Sequence, residues 1–277
     1  MGALVDRLKR HLVGRWLITY FIDSPGPHYA PAIAFNAFVA IFPIALGLVS
    51  VLVLVKPNSP IARQVDQIIL DVFPQGTRTE ISSVIRDLNR HARTVGLVSL
   101  VAMLWAGTAL FACLGAALNA LHGTTGRNLI RQRLMGLRLI LVMALGLGIL
   151  ILVEDVTAGM PPASVVRLGA AGLVLVMLLG FIYRVAPSTN MSPREVLPGA
   201  VIAAVLIEAA TIAFPIYSRV TDEISTYGRG VALALVLMFW LYLVSHIVLL
   251  GAHFNDVRLD MREERAAAAS GEVELSA

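Results

Sequence analysis

From Pro31 to Val55 the chain carries no charged residue, and this stretch limits the possible folds more than any other feature. A helix needs about 20 apolar residues to cross a hydrocarbon core about 30 Å thick. At that depth no water satisfies backbone N–H and C=O groups, so a spanning segment must satisfy them within itself, as a helix does. Runs of the same kind follow at Thr94–Leu121, at a third span ending near Val153, and at Val165–Tyr183, Val196–Tyr217 and Val231–Phe254. The chain therefore reads as an all-α membrane protein, a bundle of six transmembrane helices with amphipathic N-terminal and loop helices. Charged residues make up 14% of it, and the deficit falls in these blocks. A soluble domain carries about a quarter, because its surface must be hydrated.

Residues 1–29 read as an amphipathic interfacial segment. Val5, Leu8, Leu12 and Trp16 share a helix face, and Arg7, Lys9, Arg10 and Arg15 supply charge. Such a helix is expected to lie along the membrane, with Trp16, Tyr20 and Phe21 among the headgroups. The same basic residues argue against a cleaved signal peptide, so the first span is expected to act as an uncleaved anchor. Residues 30–255 form the transmembrane domain, and Pro43 predicts a kink in its first helix. The longest connection, 56–93, holds two apolar stripes at helical spacing, Ile61–Val72 and Ile81–Leu88, separated by Pro74-Gln75-Gly76. Two short amphipathic helices are expected there. Residues 256–277 turn charged and then alanine-rich, and read as a polar, partly disordered tail.

The net charge of +4 is spread over the connections and the first helix, with no long basic run. It suits anionic membrane lipids as partners and gives no sign of nucleic-acid binding. The connections on the side of the termini carry more arginine and lysine than those on the other, which predicts cytoplasmic termini. Cys113 is alone, so no intrachain disulfide forms.

Polar groups inside the spans are the candidates for function. Glu208 stands near the middle of the fifth span, far from any other charge. A charge at that depth costs roughly 2.5–3.5 kcal/mol on insertion scales, so the side chain is expected to face the bundle interior or a wet cavity. It reads either as a substrate, ion or proton site, or as a neutral carboxyl bonded to a neighbour, with Thr211 and Asn119 as candidate partners. On the sixth span Tyr242, His246, Leu249 and His253 share one face. His246 is either a proton relay or an interhelical hydrogen-bonding group, and His253 lies near the headgroups. Thr108, Ala112, Gly115 and Asn119 form a small, polar stripe on the second span, read as helix packing or as a pathway. No nucleophile elbow, His-Glu-x-x-His, phosphate-binding loop or metal-ligand cluster is present, so neither an enzyme nor a cofactor is expected.

Several pieces occur together in order: Ala34-Phe35 through Phe42-Pro43, Trp105 through Leu118-Asn119, Tyr183-Arg184-x-x-Pro187 and Pro198-Gly199-Ala200. They continue with Phe214-Pro215-x-Tyr217, Tyr227-Gly228, Trp240-x-Tyr242 and Gly251-Ala252-x-Phe254-Asn255. In this the chain resembles the YihY/virulence factor BrkB-like family of bacterial inner-membrane proteins. It departs from the family at Asn36, where an aromatic is frequent, and at His253, where an acidic residue is frequent. The resemblance implies six spans in the bacterial inner membrane with cytoplasmic termini. It also implies a link to envelope properties and serum resistance; a ribonuclease label carried by the family finds no carboxylate cluster here.

The function expected is a transporter or lipid translocase with a lipid or small-solute substrate. Its pathway residues are drawn from Glu208, His246, Asn119, Tyr242 and Asn36. The alternative is an envelope scaffold whose polar groups only join helices.

Overall fold

The computed structural model describes residues 12–55, 92–126, 128–157, 163–189, 191–222 and 229–275. They form seven α-helices: α1 (Leu12–Ile22), α2 (Gly26–Val55), α3 (Ala92–Leu121), α4 (Leu129–Thr157), α5 (Ala163–Val185), α6 (Pro193–Asp222) and α7 (Arg229–Leu275). No strand occurs among the described residues. The two helices expected within 56–93 fall outside them except for the last two positions, as does the chain before Leu12. By length and composition, Leu100–Leu121, Pro193–Ala213 and Ala234–Ser270 are long and apolar enough to cross a membrane, and shorter apolar stretches lie at Leu12–Ile22 and Gly169–Val185.

Local chemistry sets the helix ends. Gly123 adopts φ 61°, the left-handed conformation that glycine takes without steric cost. Thr124 N–H then reaches the Asn119 carbonyl at 2.8 Å and Gly123 N–H the Ala120 carbonyl at 3.3 Å, the paired bonds of a Schellman stop. At α6, Ser192 caps the helix, Pro193 takes the first position, and Ser192 N–H donates to Glu195 Oε2 at 2.7 Å. Helix α2 continues through Pro43 as one unbroken element. Helix α7 runs on through 256–275, where a partly disordered tail is expected. Its 47 residues span about 70 Å. Alanine has the highest helix propensity, and the run Ala266–Ala269 carries the helix outward.

The helices close into a ring in chain order. Each of α2 to α6 packs against its successor, α7 returns to α2, and α1 lies on α7. The core occupies the half of the bundle near the α3–α4 and α5–α6 turns. Tyr20, Ala30, Leu118, Ala200, Ala203 and Leu249 are fully buried there. Glycine permits the closest approach, between α6 and α7. A Cβ on Gly199 would collide with the Gly251 carbonyl oxygen, and one on Gly251 would stand 2.5 Å from Tyr183 Oη and 2.7 Å from Ala203 Cβ. The outer surface is apolar. Val98 and Val101, Leu141 and Leu145, Leu173 and Met177, and Val201, Val205 and Ile212 repeat at helical spacing and are exposed. Lipid solvates such stripes, whereas water would drive them together.

Candidate functional site

The polar groups of the bundle gather where α1 meets α7. Tyr242, His246, Leu249 and His253 share a face of α7, as their spacing predicts, and that face receives α1. Tyr20 Oη lies 2.9 Å from His246 Nδ1, and the Tyr242 ring stands edge-on to His246 at 4.5 Å. Two turns further on, His253 Nε2 lies 2.9 Å from Thr19 Oγ1. His253 is thus tied to α1. Trp16 Nε1 donates to the Leu250 carbonyl at 2.9 Å, and its ring meets Phe254 edge-on at 5.3 Å.

Helix α1 docks on α7 through one face. Trp16 and Tyr20 are buried against α7, because a buried indole N–H or phenol O–H needs an acceptor and α7 supplies one for each. Burial pushes the Tyr20 hydroxyl well above its ordinary pKa, so it keeps its proton. Val13, Leu17 and Phe21, four residues apart, form the exposed apolar face instead. Outside the bundle, Arg15 Nη1 and Nη2 donate to the two carboxylate oxygens of Glu264 at 2.7 and 2.8 Å. That pairing raises the Arg15 pKa further.

Three more joints lock the same end. Asn255 accepts from Gly199 N–H at 2.8 Å and donates to the Val196 carbonyl at 3.2 Å, fully buried between α6 and α7. His122 Nδ1 lies 2.7 Å from Asp256 Oδ1, while buried Asp256 Oδ2 has no hydrogen-bond partner among the described residues. Asn119 Oδ1 accepts from the Ser188 N–H at 2.7 Å and lies 2.6 Å from its hydroxyl, fastening the α5–α6 connection to the end of α3. The rest of the Asn119 stripe seats α4. Arg133 donates to Thr108 Oγ1 at 2.7 Å, Gln132 to the Ala112 carbonyl at 3.1 Å, and Gly115 faces Met135.

The sequence-predicted residues do not converge on one site. His246 and Tyr242 come together with Tyr20, and Asn119 sits in its own joint. Glu208 is half-buried on α6, next to the stripe of exposed Val201, Val205 and Ile212, and not in the bundle interior. Neither expected partner reaches it: Thr211 Oγ1 donates to the Ile207 carbonyl of its own helix, and Asn119 is engaged with Ser188. Asn36 lies elsewhere again, its amide donating to the Ala32 carbonyl at 2.8 Å. It borders a groove of about 720 Å³ between α2 and α3, whose other walls are apolar: Val39, Ala40 and Pro43 face Val98, Val101, Ala102, Trp105, Ala106 and Ala109. Val39, Val98, Val101 and Trp105 are exposed, so the groove opens sideways. The Arg133 guanidinium lies 4.7 Å from the centre of the Trp105 ring.

Sequence reasoning missed Asn255, Ser188 and the His122–Asp256 pair. The available signal was a buried-type pattern on α7, where Gly251 and Asn255 stand one turn apart on the same face.

An all-helical bundle with an apolar outer surface and its polar groups joined inside is a membrane protein. The chain belongs to the virulence factor BrkB family, whose profile matches residues 17–274. It is similar to a UPF0761 membrane protein of Chromohalobacter salexigens, 26% identical over 86% of this chain and 61% of that protein. It is also similar to a UPF0761 membrane protein of Rhodospirillum centenum, 22% identical over 100% of this chain and 63% of the relative. A third relative is the ribonuclease-like protein YfkH of Bacillus subtilis, 33% identical over 33% of this chain and 34% of its own length. The chain thus spans about three-fifths of the UPF0761 proteins and about a third of YfkH. No solved structure matches it.

Proposed function

We propose that this chain crosses the bacterial inner membrane six times, with both termini in the cytoplasm, and moves a lipid as a non-enzymatic transporter or translocase. The α2–α3 groove carries this reading. It opens sideways, its walls are apolar along their length, and its polar lining residue is Asn36. An acyl chain fits such a slot, whereas a small polar solute finds almost no hydrogen-bonding group in it. The ring of α2 to α7 supplies the six spans, and the surplus of basic residues on the side of the α3–α4 and α5–α6 turns supports the orientation. The ribonuclease-like name of YfkH is not carried over, since the motifs of metal-assisted or nucleophilic hydrolysis are missing from the sequence.

The second reading, an envelope scaffold, is favoured by the joints themselves. Asn119 and His246 each hold one element against another, which is what helix-joining polar groups do. Reconstitution separates the two readings. Purified protein is placed in vesicles with a fluorescent phospholipid in one leaflet, and equilibration between leaflets is followed. Wild type is expected to speed equilibration above empty vesicles. Ala102→Trp with Ala106→Trp, which fills the groove, is expected to return it to the empty-vesicle rate with helical content unchanged. Glu208 lies on α6 outside the groove, so it enters the mechanism if Glu208→Gln slows equilibration without loss of folding, and unchanged flux removes it. Equilibration by wild type no faster than in empty vesicles leaves the scaffold.

A further inference from the structure

A second groove, of about 660 Å³, lies between the start of α4 and the end of α5. Arg131, Arg138 and Arg184 stand around it, over a floor that includes Leu134, Met135 and Phe181. Arg131 and Arg138 are seven residues apart, so they share a face of α4 about 10 Å apart along its axis. Arg184, in the last turn of α5, faces them across the groove. All three side chains are exposed, and among the described residues none makes a hydrogen bond or an ion pair. Arg133, in the same stretch of α4, is the opposite case. Its guanidinium is used within the protein, by Thr108 and the Trp105 ring.

Three cations held together without a carboxylate repel one another, and they border apolar surface. The helix ends leave this balance unchanged, since the N-terminus of α4 and the C-terminus of α5 carry opposite partial charges of about half a unit. An anion relieves the repulsion, and the forked donors of arginine match phosphate oxygens. The floor selects further, because an inorganic ion gains nothing from Leu134, Met135 and Phe181 whereas an acyl chain does. We propose that this groove binds an anionic phospholipid, its phosphate held by Arg131, Arg138 and Arg184 and the start of its acyl chains on the apolar floor. The site requires only that this end of the bundle meets a membrane surface, and it stands apart from any transport through the α2–α3 groove.

Native mass spectrometry of the purified protein in detergent tests it, with phosphatidylglycerol against phosphatidylcholine as probes. Wild type is expected to retain phosphatidylglycerol in preference. A basic side chain near an anionic lipid surface is worth about fivefold in affinity. Arg131→Gln or Arg184→Gln is therefore expected to lower the preference about fivefold, and the triple Gln variant by at least about tenfold. Arg194→Gln, an exposed arginine outside the groove, is expected to leave it unchanged. The single variants decide the question if the triple variant does not fold. An equal preference in wild type and the single variants overturns the proposal. So does displacement of the lipid by millimolar inorganic phosphate, which assigns the arginines to a soluble phosphate. Lipid retention is read at equilibrium, so absence of flux in the vesicle assay leaves this result standing.

Discussion

Where α3 turns into α4 and α5 into α6, polar groups fasten one element of the bundle to another. Asn255 bridges α6 and α7, Asn119 holds the α5–α6 connection, and Tyr20 and Thr19 bind the two histidines of α7. Toward the opposite end, an apolar groove runs beside the α2–α3 contact, and valine, leucine and isoleucine side chains stand exposed on α3, α4 and α6. The two regions differ in how contact is specified. Apolar surface gains nothing by leaving lipid for protein, so helices in a bilayer adhere through small residues and hydrogen bonds. The first region has both. The second has small residues, Gly47 seated against Met103 as well as Ala102, Ala106 and Ala109, without the hydrogen bonds, and beside that contact an apolar groove stays open.

The largest effect expected from this contrast is at glycine. Gly199→Ala sets a methyl group against the Gly251 carbonyl oxygen, a backbone atom that no rotamer change moves aside. The loss is expected at the upper end of the about 1–3 kcal/mol of overpacking, or beyond it. Gly148→Ala, in the open region with nothing within 4 Å of the added atom, is expected to hold or raise stability by up to about 1 kcal/mol through helix propensity. Thermal unfolding in detergent compares them. Equal midpoints for the two variants break the distinction between a closed and an open region.

Asn255→Ala comes next. It deprives the buried Gly199 N–H and Val196 carbonyl of a partner, and a buried unsatisfied group costs about 1–3 kcal/mol. Asn36→Ala serves as its counterpart, because that amide binds only within its own helix and borders the open groove. Its effect is expected within about 0.5 kcal/mol. Similar losses at both asparagines mean that the groove is closed by a neighbour in the membrane.

These pairs also mark what the sequence discloses. The apolar runs placed α2 to α6 within a few residues, because hydropathy and length constrain a helix in lipid directly. The face shared by Tyr242, His246 and His253 followed from spacing alone. What spacing omits is the partner. Glu208 attracts notice as a lone charge, yet only packing sets it beside an exposed stripe. Asn255, the last residue before the charged segment, shows no partner in the sequence until Gly199 is brought against it. Trp16 and Tyr20 suit headgroups by type, and the acceptors that draw them into the protein lie more than two hundred residues away along the chain. Helix through 256–275 was the propensity of alanine outweighing a polar composition.

A smaller effect is expected at Tyr20. Tyr20→Phe removes its contact with His246 and keeps the ring, for a loss of about 0.5–1.5 kcal/mol. The pH dependence identifies the cause. Folding raises the pKa of this hydroxyl, so the folded state holds the proton more tightly than the unfolded state does. The associated stability is complete below the ordinary tyrosine value of about 10 and declines as pH rises above it. Tyr20→Phe is expected to flatten that alkaline decline. An unchanged alkaline slope means that Tyr20 is hydrated and that α1 docks less tightly than its buried face indicates.

The smallest effect is expected at Arg15 and Glu264, although their geometry is the best of any ion pair described. Two parallel bonds of 2.7 and 2.8 Å make a bidentate fork. Geometry and environment oppose each other here. The fork favours strength, but the pair stands beyond the bundle, with the Glu264 side chain 60% exposed, so water and salt screen it. Screening is expected to win. A double-mutant cycle with Arg15→Gln and Glu264→Gln should give a coupling that is detectable at about 0.01 M salt, where the screening length is about 30 Å, and gone at about 1 M, where it is about 3 Å. A coupling that survives high salt reverses the order. It makes the pair part of the closed region, with the outer turns of α7 clamped to α1 as firmly as the histidines are.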